Sequence, residues 1–346
     1  MRHRATLALA TAALVLQGCA AAAIPIVAGG FVGRAKLQDR KSKRPDKRKT
    51  SAYRLVDMKE LPRPTAAATA AATAGATAAA TGGTVPGAMQ YLYGSGEAAA
   101  LDLQAYMALA NYLVGLPADR SIGHDVPSVV IAPGSTLDAP RFVPCGSKPL
   151  AIVFDIDETA VLNLGYEADA ARRGETFDSA RWAEWERTGG GHVAVVPGLL
   201  DVIKVARITD ITVIFNSNRS VAHAAETAAM LDRIGLGPVV HGDTLWLQGD
   251  AGGTGSGKDA RRWAIAAKYC VVAMSGDQLG DFTDLFNASS MTPPARREAV
   301  GGRKVSLMWG RGWFMLPNPV YGTGLKGDFD TVFPPATRWT PNGVAK

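Results

Sequence analysis

The chain is short of the residues that build soft-metal sites. Its 346 residues include 3 cysteines and 5 histidines. Cys19, Cys145 and Cys270 form no CxxC pair and no Cys/His cluster, which excludes the usual zinc arrangements. An even basic surface is missing too. The formal net charge is +6, from 37 Lys+Arg against 31 Asp+Glu, but residues 1–49 hold 11 of the basic and only 2 of the acidic side chains. The remainder has 26 basic and 29 acidic, a net of −3. The globular part therefore lacks the positive field that a nucleic-acid polymer requires. With 47% hydrophobic residues, the length suits one large α/β domain with extensions, or two small domains.

The N-terminus reads as an address. Arg2 and Arg4 precede an apolar run from Ala5 to Leu16, the pattern of a secretory signal. Leu16-Gln17-Gly18-Cys19 resembles the lipobox of bacterial lipoproteins. That resemblance implies removal of residues 1–18, lipidation of Cys19 and, with Ala20 next, an outer-membrane destination. The alternative joins the apolar residues 20–33 to the first run as one uncleaved anchor before Arg34, Lys36, Arg40 and Lys41. Either way the chain is held on a membrane. Residues 34–49 form a basic, solvated spacer with a possible secondary contact to anionic headgroups. Residues 65–83, nearly all Ala, Thr and Gly, form a low-complexity tether. Residues 19–84 are thus linker, and folded structure is expected over 85–346. It opens with a helix in which Leu101, Tyr106, Leu109, Tyr112 and Leu113 recur at helical spacing up to Gly115.

The chemistry begins at Leu150. Leu-Ala-Ile-Val-Phe is a buried-strand run, followed at once by Asp155-Ile156-Asp157-Glu158-Thr159. Two carboxylates at i and i+2 past a strand's carboxyl end stand where α/β sheets place ligands. One can attack phosphorus and the other can move protons. Alone, the pair also fits a strand-end turn or part of a calcium loop. A second strand, 211–215, ends in Asn216-Ser217-Asn218-Arg219, which supplies a hydroxyl for a phosphoryl oxygen or simply caps a helix. Gly257-Lys258-Asp259, with Arg261 and Arg262, opens another helix; its lysine is a point charge for phosphate or a surface residue. A third strand, 269–274, leads to Gly276-Asp277-Gln278-Leu279-Gly280-Asp281-Phe282, whose acids suit a hard cation such as Mg²⁺.

In this order the motifs resemble the haloacid dehalogenase (HAD) superfamily, and more narrowly the class C acid phosphatases, bacterial outer-membrane lipoprotein phosphatases and 5′-nucleotidases. Residues 93–97, 177–185, 196–198 and the Phe314–Gly322 segment extend the match over roughly 88–330. The lead-in to Lys258, Asp250 to Gly257, is longer than the family's. The resemblance implies a three-layer Rossmannoid α/β fold with a central parallel sheet and a small helical cap at about 160–198. It implies Asp155 as nucleophile and Asp157 as general acid/base. Ser217, Asn218 and Lys258 would hold the phosphoryl group. Mg²⁺ would sit on Asp155, Asp277 and the Asp157 carbonyl, with Asp281 behind them. Asp157 itself argues for phosphomonoester hydrolysis, because protonation of an ester oxygen needs that second acid.

Trp182 and Trp185, at i and i+3, are either cap core or an aromatic slot for a leaving group, shared with Tyr321 by the resemblance. Small phosphomonoesters, including nucleotides such as NMN or 5′-AMP, are the expected substrates. Cys145 and Cys270 precede strands expected to be neighbours and are either a disulfide or two buried thiols. Two other functions stay open on the sequence: a non-enzymatic surface protein that keeps the fold for binding, and a phosphotransferase using the same residues.

Overall fold

The computed structural model describes residues 84–341 apart from 122, 124, 125, 253 and 254. The signal sequence, Cys19, the alternative anchor and the Ala/Thr-rich tether lie outside the described residues. No helix among the described residues is long and apolar enough to cross a membrane.

Two helices lead in, α1 (Gly87–Gly94) and α2 (Gly96–Ser121). Ser95 separates them: its hydroxyl donates to the Tyr91 carbonyl at 2.6 Å and accepts the Ala98 N–H at 3.1 Å, capping α2. Tyr106, Leu109 and Leu113 form the buried face of α2, at the spacing of one helical stripe. Leu101, expected on that face, is exposed, and Asp102 is buried in its vicinity instead. The helix continues through Pro117, past the expected end at Gly115.

The central sheet consists of β1 (Leu150–Phe154), β4 (Thr212–Ser220), β5 (Leu245–Ala251), β6 (Cys270–Gly276) and β7 (Trp313–Met315). Its order is β5-β4-β1-β6-β7 and every pairing is parallel. All five residues of β1 are buried. Ile152 and Phe154 belong to one apolar cluster, Ala151 and Val153 to the other. This alternation puts hydrophobic layers on both faces, which is why the strand reads as an unbroken apolar run. The first cluster takes in α2, α5 (Leu199–Ile208) and α6 (Ala224–Arg233); the second takes in α7 (Asp259–Lys268) and, at its margin, α8 (Pro293–Val300). The chain is therefore an α/β protein with a parallel sheet between helical layers. The strands expected at 150–154, 211–215 and 269–274 are β1, β4 and β6, side by side in the middle. The edge strands β5 and β7 carry no comparable run.

Between β1 and α5 the chain forms a small excursion: β2 (Val161–Leu162), α3 (Leu164–Arg173), α4 (Ser179–Thr188) and β3 (Ala194–Val195), with β2 and β3 antiparallel. A four-residue helix, α9 (Phe329–Val332), follows the sheet. Cys145 and Cys270 form a disulfide, which decides between the two readings of these cysteines. It joins the segment before β1 to the first residue of β6 across 125 residues of chain. A closure of that length stabilises by about 2–5 kcal/mol, chiefly by restricting the unfolded chain.

Candidate active site

The parallel arrangement brings the carboxyl ends of β1, β4 and β6 to one edge. Asp155 follows β1, and its N–H is fixed by the Ser275 carbonyl at 3.0 Å. Lys258, just before α7, reaches in from the far side. Its Nζ donates to Asp155 Oδ1 at 2.5 Å and to Asp281 Oδ1 at 2.7 Å, with all three side chains buried. The turn carrying Lys258 is held in place because Asp284 accepts the N–H groups of Lys258 and Asp259, each at 2.8 Å. Asp277 follows β6. Its Oδ1 accepts from Thr159 Oγ1 at 3.1 Å, and its Oδ2 from Asn318 Nδ2 at 2.7 Å and Gln278 Nε2 at 3.0 Å.

Oxygen atoms of Asp155, Asp277 and Asp281 lie within 4.8 Å of one another, the one such group found among the described residues. Asp281 enters this group directly, closer to the centre than its expected place behind it. Gly276 makes room for it: a Cβ there would lie 2.3 Å from Asp281 Cβ. Of these three buried carboxylates, Asp155 and Asp281 share one ammonium, and Asp277 has only neutral donors. That donor set fits a hard divalent cation, the kind of metal that HAD phosphatases use.

Asp157 is anchored apart from this cluster. Arg219 donates to its Oδ1 through Nε at 3.0 Å and through an NH2 nitrogen at 2.7 Å. Asn163 Nδ2 adds a third bond to Oδ1 at 2.9 Å. Oδ2 has only longer contacts, from Arg219 Nε at 3.3 Å and the Ser217 hydroxyl at 3.4 Å. Asn163 is itself oriented by Trp185, whose indole N–H donates to Asn163 Oδ1 at 2.9 Å. Trp185 is buried against Gly165 and Gly189. It therefore supports the Asp157 mooring and offers no open face to a ligand. Trp182 is half-buried, edge-on to Tyr166 with 5.0 Å between ring centres, and 5.7 Å from the Arg219 guanidinium.

Glu158 holds a left-handed backbone conformation, φ 52°, that side chains rarely adopt. A buried web compensates for it. Glu158 accepts from the Asn163 N–H at 2.9 Å, from the Tyr93 hydroxyl at 3.2 Å and from the Tyr321 hydroxyl through a short bond. Tyr321 thus ties the C-terminal loop to the DIDET segment, and Asn318 ties the same loop to Asp277. Beside Tyr93, between α1 and α3, lies a cavity of about 390 Å³ lined by Met89, Leu164, Glu167 and Ala168. The carboxylates of the site do not line it.

Asn218 makes a different contact from the one expected of a phosphate ligand. Its side chain bonds the Ser256 carbonyl at 3.0 Å and Arg261 at 2.6 Å, fastening the Lys258 loop to β4. Ser217 is fully buried beside Asp157 and also accepts the Arg219 N–H at 3.1 Å. No sequence motif singles out Asn163. Arg219, Glu158 and Asn318 stand inside recognised boxes, but their roles depend on long-range partners.

Burial pushes the Asp155 carboxyl well above the usual range; Lys258 opposes this, and Asp281, Asp277 and Asp157 add to it. Burial and then Asp281 raise Asp277 to about 7. Burial and then Asp157 raise Glu158 to about 7. Burial lowers the Lys258 pKa, but Asp155 and Asp281 outweigh it and keep the ammonium charged. The folded state thus binds protons at Asp277 and Glu158 more tightly than the unfolded chain does. Without a cation, their contribution to stability falls as pH rises from about 4 to about 7, by roughly 1.4 kcal/mol per group per pH unit at most. A divalent cation bound at the carboxylate cluster would replace the protons on its aspartates. Magnesium should therefore raise the melting temperature more at pH 7.5 than at pH 5, as read by thermal unfolding; equal shifts at both would contradict this electrostatic picture.

Comparison with known proteins agrees with the geometry. The family model for the HAD superfamily, subfamily IIIB (acid phosphatase), matches residues 129–324, more than half of the chain. Among solved structures, the class C acid phosphatase from Bacillus anthracis aligns at 23% identity and a TM-score of 0.52, covering 68% of this chain and 84% of that one. Its tungstate-bound form gives 24% and 0.53 over the same shares. At these identities the likeness speaks for the fold. Comparison with curated proteins gives no match. With the site residues gathered at the ends of β1, β4 and β6, the chain belongs to the acid phosphatases of HAD subfamily IIIB.

Proposed function

We propose that this protein is a magnesium-dependent phosphomonoesterase of the cell envelope, acting through a phosphorylated Asp155, with 5′-nucleotides such as NMN or AMP among its substrates. The observation that carries this reading is the convergence of Asp155, Asp277 and Asp281 on one point with Lys258 between them.

An Asp155 oxygen attacks phosphorus as the ester P–O bond breaks. Asp157 gives its proton to the departing oxygen, then takes one from the water that attacks the acyl phosphate. Cleavage of that P–O bond returns Asp155 and releases phosphate. The two oxygens of Asp157 divide the labour. Oδ1 is occupied by Arg219 and Asn163, which leaves Oδ2 to carry the proton. Lys258 spends two of its three N–H bonds on Asp155 and Asp281, leaving one for a phosphoryl oxygen. The Ser217 hydroxyl is a second donor at that place, a neutral one. Mg²⁺ held by Asp155, Asp277 and the Asp157 carbonyl, with Asp281 in reach, would reduce the repulsion between carboxylate and phosphate.

Trp182 and Tyr321 support an aromatic leaving group, since one is half-buried near Arg219 and the other is fixed to Glu158. The envelope location is supported by the signal-like N-terminus and by the Cys145–Cys270 disulfide, a bond typical of oxidising compartments.

Three outcomes are expected. Hydrolysis of p-nitrophenyl phosphate at acidic pH should require magnesium and fall by roughly 10³-fold or more in Asp155→Asn; a variant that keeps wild-type turnover removes Asp155 from the mechanism. Trp182→Ala should raise KM for 5′-AMP about tenfold, from lost stacking, and leave KM for a small aliphatic phosphate nearly unchanged. Equal effects on both would make Trp182 purely structural. Finally, Cys19→Ser should move the protein from the membrane to the soluble fraction of fractionated cells; continued membrane retention would favour the uncleaved anchor.

A further inference from the structure

The buried cations around the site differ in one respect. Lys258 is paired with Asp155 and Asp281, Arg219 with Asp157, and Arg262 with Asp259 and Asp284. Arg261 is only 2% exposed, yet no carboxylate among the described residues lies within ion-pair distance of it. One of its NH2 hydrogens goes to Asn218 Oδ1 at 2.6 Å, with a longer contact to the Gly257 carbonyl at 3.4 Å. Its Nε is buried and has no hydrogen-bond partner among the described residues. Burial and then the adjacent Arg262 push its pKa down, while Asp155, Asp250 and Asp284 pull it back, so the guanidinium stands in a negative field to which the proposed nucleophile contributes. A buried charge without a counter-ion is costly. Such a group persists where an anionic ligand is its partner.

The charge balance of the site calls for such a group. When all three are ionised, Asp155, Asp277 and Asp281 carry three negative charges, and Lys258 returns one. A divalent cation brings the cluster to neutrality, but a phosphate monoester then adds up to two negative charges in a water-poor pocket. Lys258 is already engaged, and Arg219 is committed to Asp157. Among the buried cations named above, Arg261 is the one with charge to spare.

We propose that Arg261 is a second cationic arm of the phosphate site, with Asn218, the residue that follows Ser217 in β4, as its tether and the substrate's phosphoryl group as the partner of its free Nε. The assignment rests on the phosphatase reading and extends it: Asn218, expected to touch phosphate, acts through Arg261. A planar guanidinium can bind two phosphoryl oxygens at once, which an ammonium cannot.

The test is calorimetric titration of inorganic phosphate, with magnesium present, into wild type, Arg261→Gln, Arg261→Lys and Asn218→Ala, alongside kcat and KM for p-nitrophenyl phosphate. The expected result is a 10- to 100-fold weaker phosphate Kd in Arg261→Gln, about the worth of one or two charge-assisted hydrogen bonds. A smaller loss is expected in Arg261→Lys, and kcat/KM should fall in parallel. Phosphate affinity within twofold of wild type in folded Arg261→Gln overturns the assignment and leaves Arg261 a structural residue. If Arg261→Gln does not fold, Asn218→Ala decides, because it keeps the charge and releases the arm: an unchanged Kd there overturns the proposal. A wild type that binds phosphate and turns over, with variants that bind it equally well, defeats this inference alone. A wild type that neither binds phosphate nor hydrolyses the ester defeats the phosphatase reading with it.

Discussion

Buried carboxylates that outnumber their cations are the constraint around which this molecule is organised. Lys258 bridges Asp155 and Asp281, Asp277 is left with neutral donors, and all of these lie at the end of a fully buried strand pair. Such a cluster is unfavourable by itself, since desolvation raises the carboxyls and mutual repulsion adds to it. It becomes favourable only when positive charge is supplied from outside. The same imbalance that costs stability in the bare protein makes the site receptive to a metal ion and a phosphoryl group.

The surrounding architecture holds this strained arrangement together. β1 and β6 are direct neighbours, so Asp155 and Asp277 come into register without a long loop. Gly276 lets Asp281 fold back against the strand end. Asp284 fixes the turn bearing Lys258. A second layer, made of Trp185, Asn163 and Arg219, moors one oxygen of Asp157 closely and leaves the other with only longer contacts. A third, made of Tyr93, Glu158 and Tyr321, joins α1, the DIDET turn and the C-terminal loop. These layers are distant in sequence, which explains how a chain with short edge strands keeps several side chains in one place.

What was legible in the sequence follows from this. The central strands were readable because burial on both faces makes them continuous apolar runs, and the acids at their ends stand out against that background. The edge strands β5 and β7 carry weaker patterns and went unread. Asp155, Asp157, Asp277 and Lys258 were visible as motifs in order. Asp281 was visible too, but its position inside the carboxylate group depends on the absence of a side chain at Gly276. Trp185 looked interchangeable with Trp182 at i and i+3, yet two glycines bury one ring while the other stays half-open. Asn163 and Arg261 could not be read for function, because their meaning lies in which partners they have or lack.

Calorimetric titration of magnesium into the metal-free wild-type protein and into Asp277→Asn tests the central claim most directly, because it reports on the carboxylate cluster without requiring turnover. The account predicts one binding event per chain in the wild type, lost or weakened by more than about tenfold when Asp277 gives up its charge. Binding of equal strength in the two proteins, or none in the wild type, would contradict it.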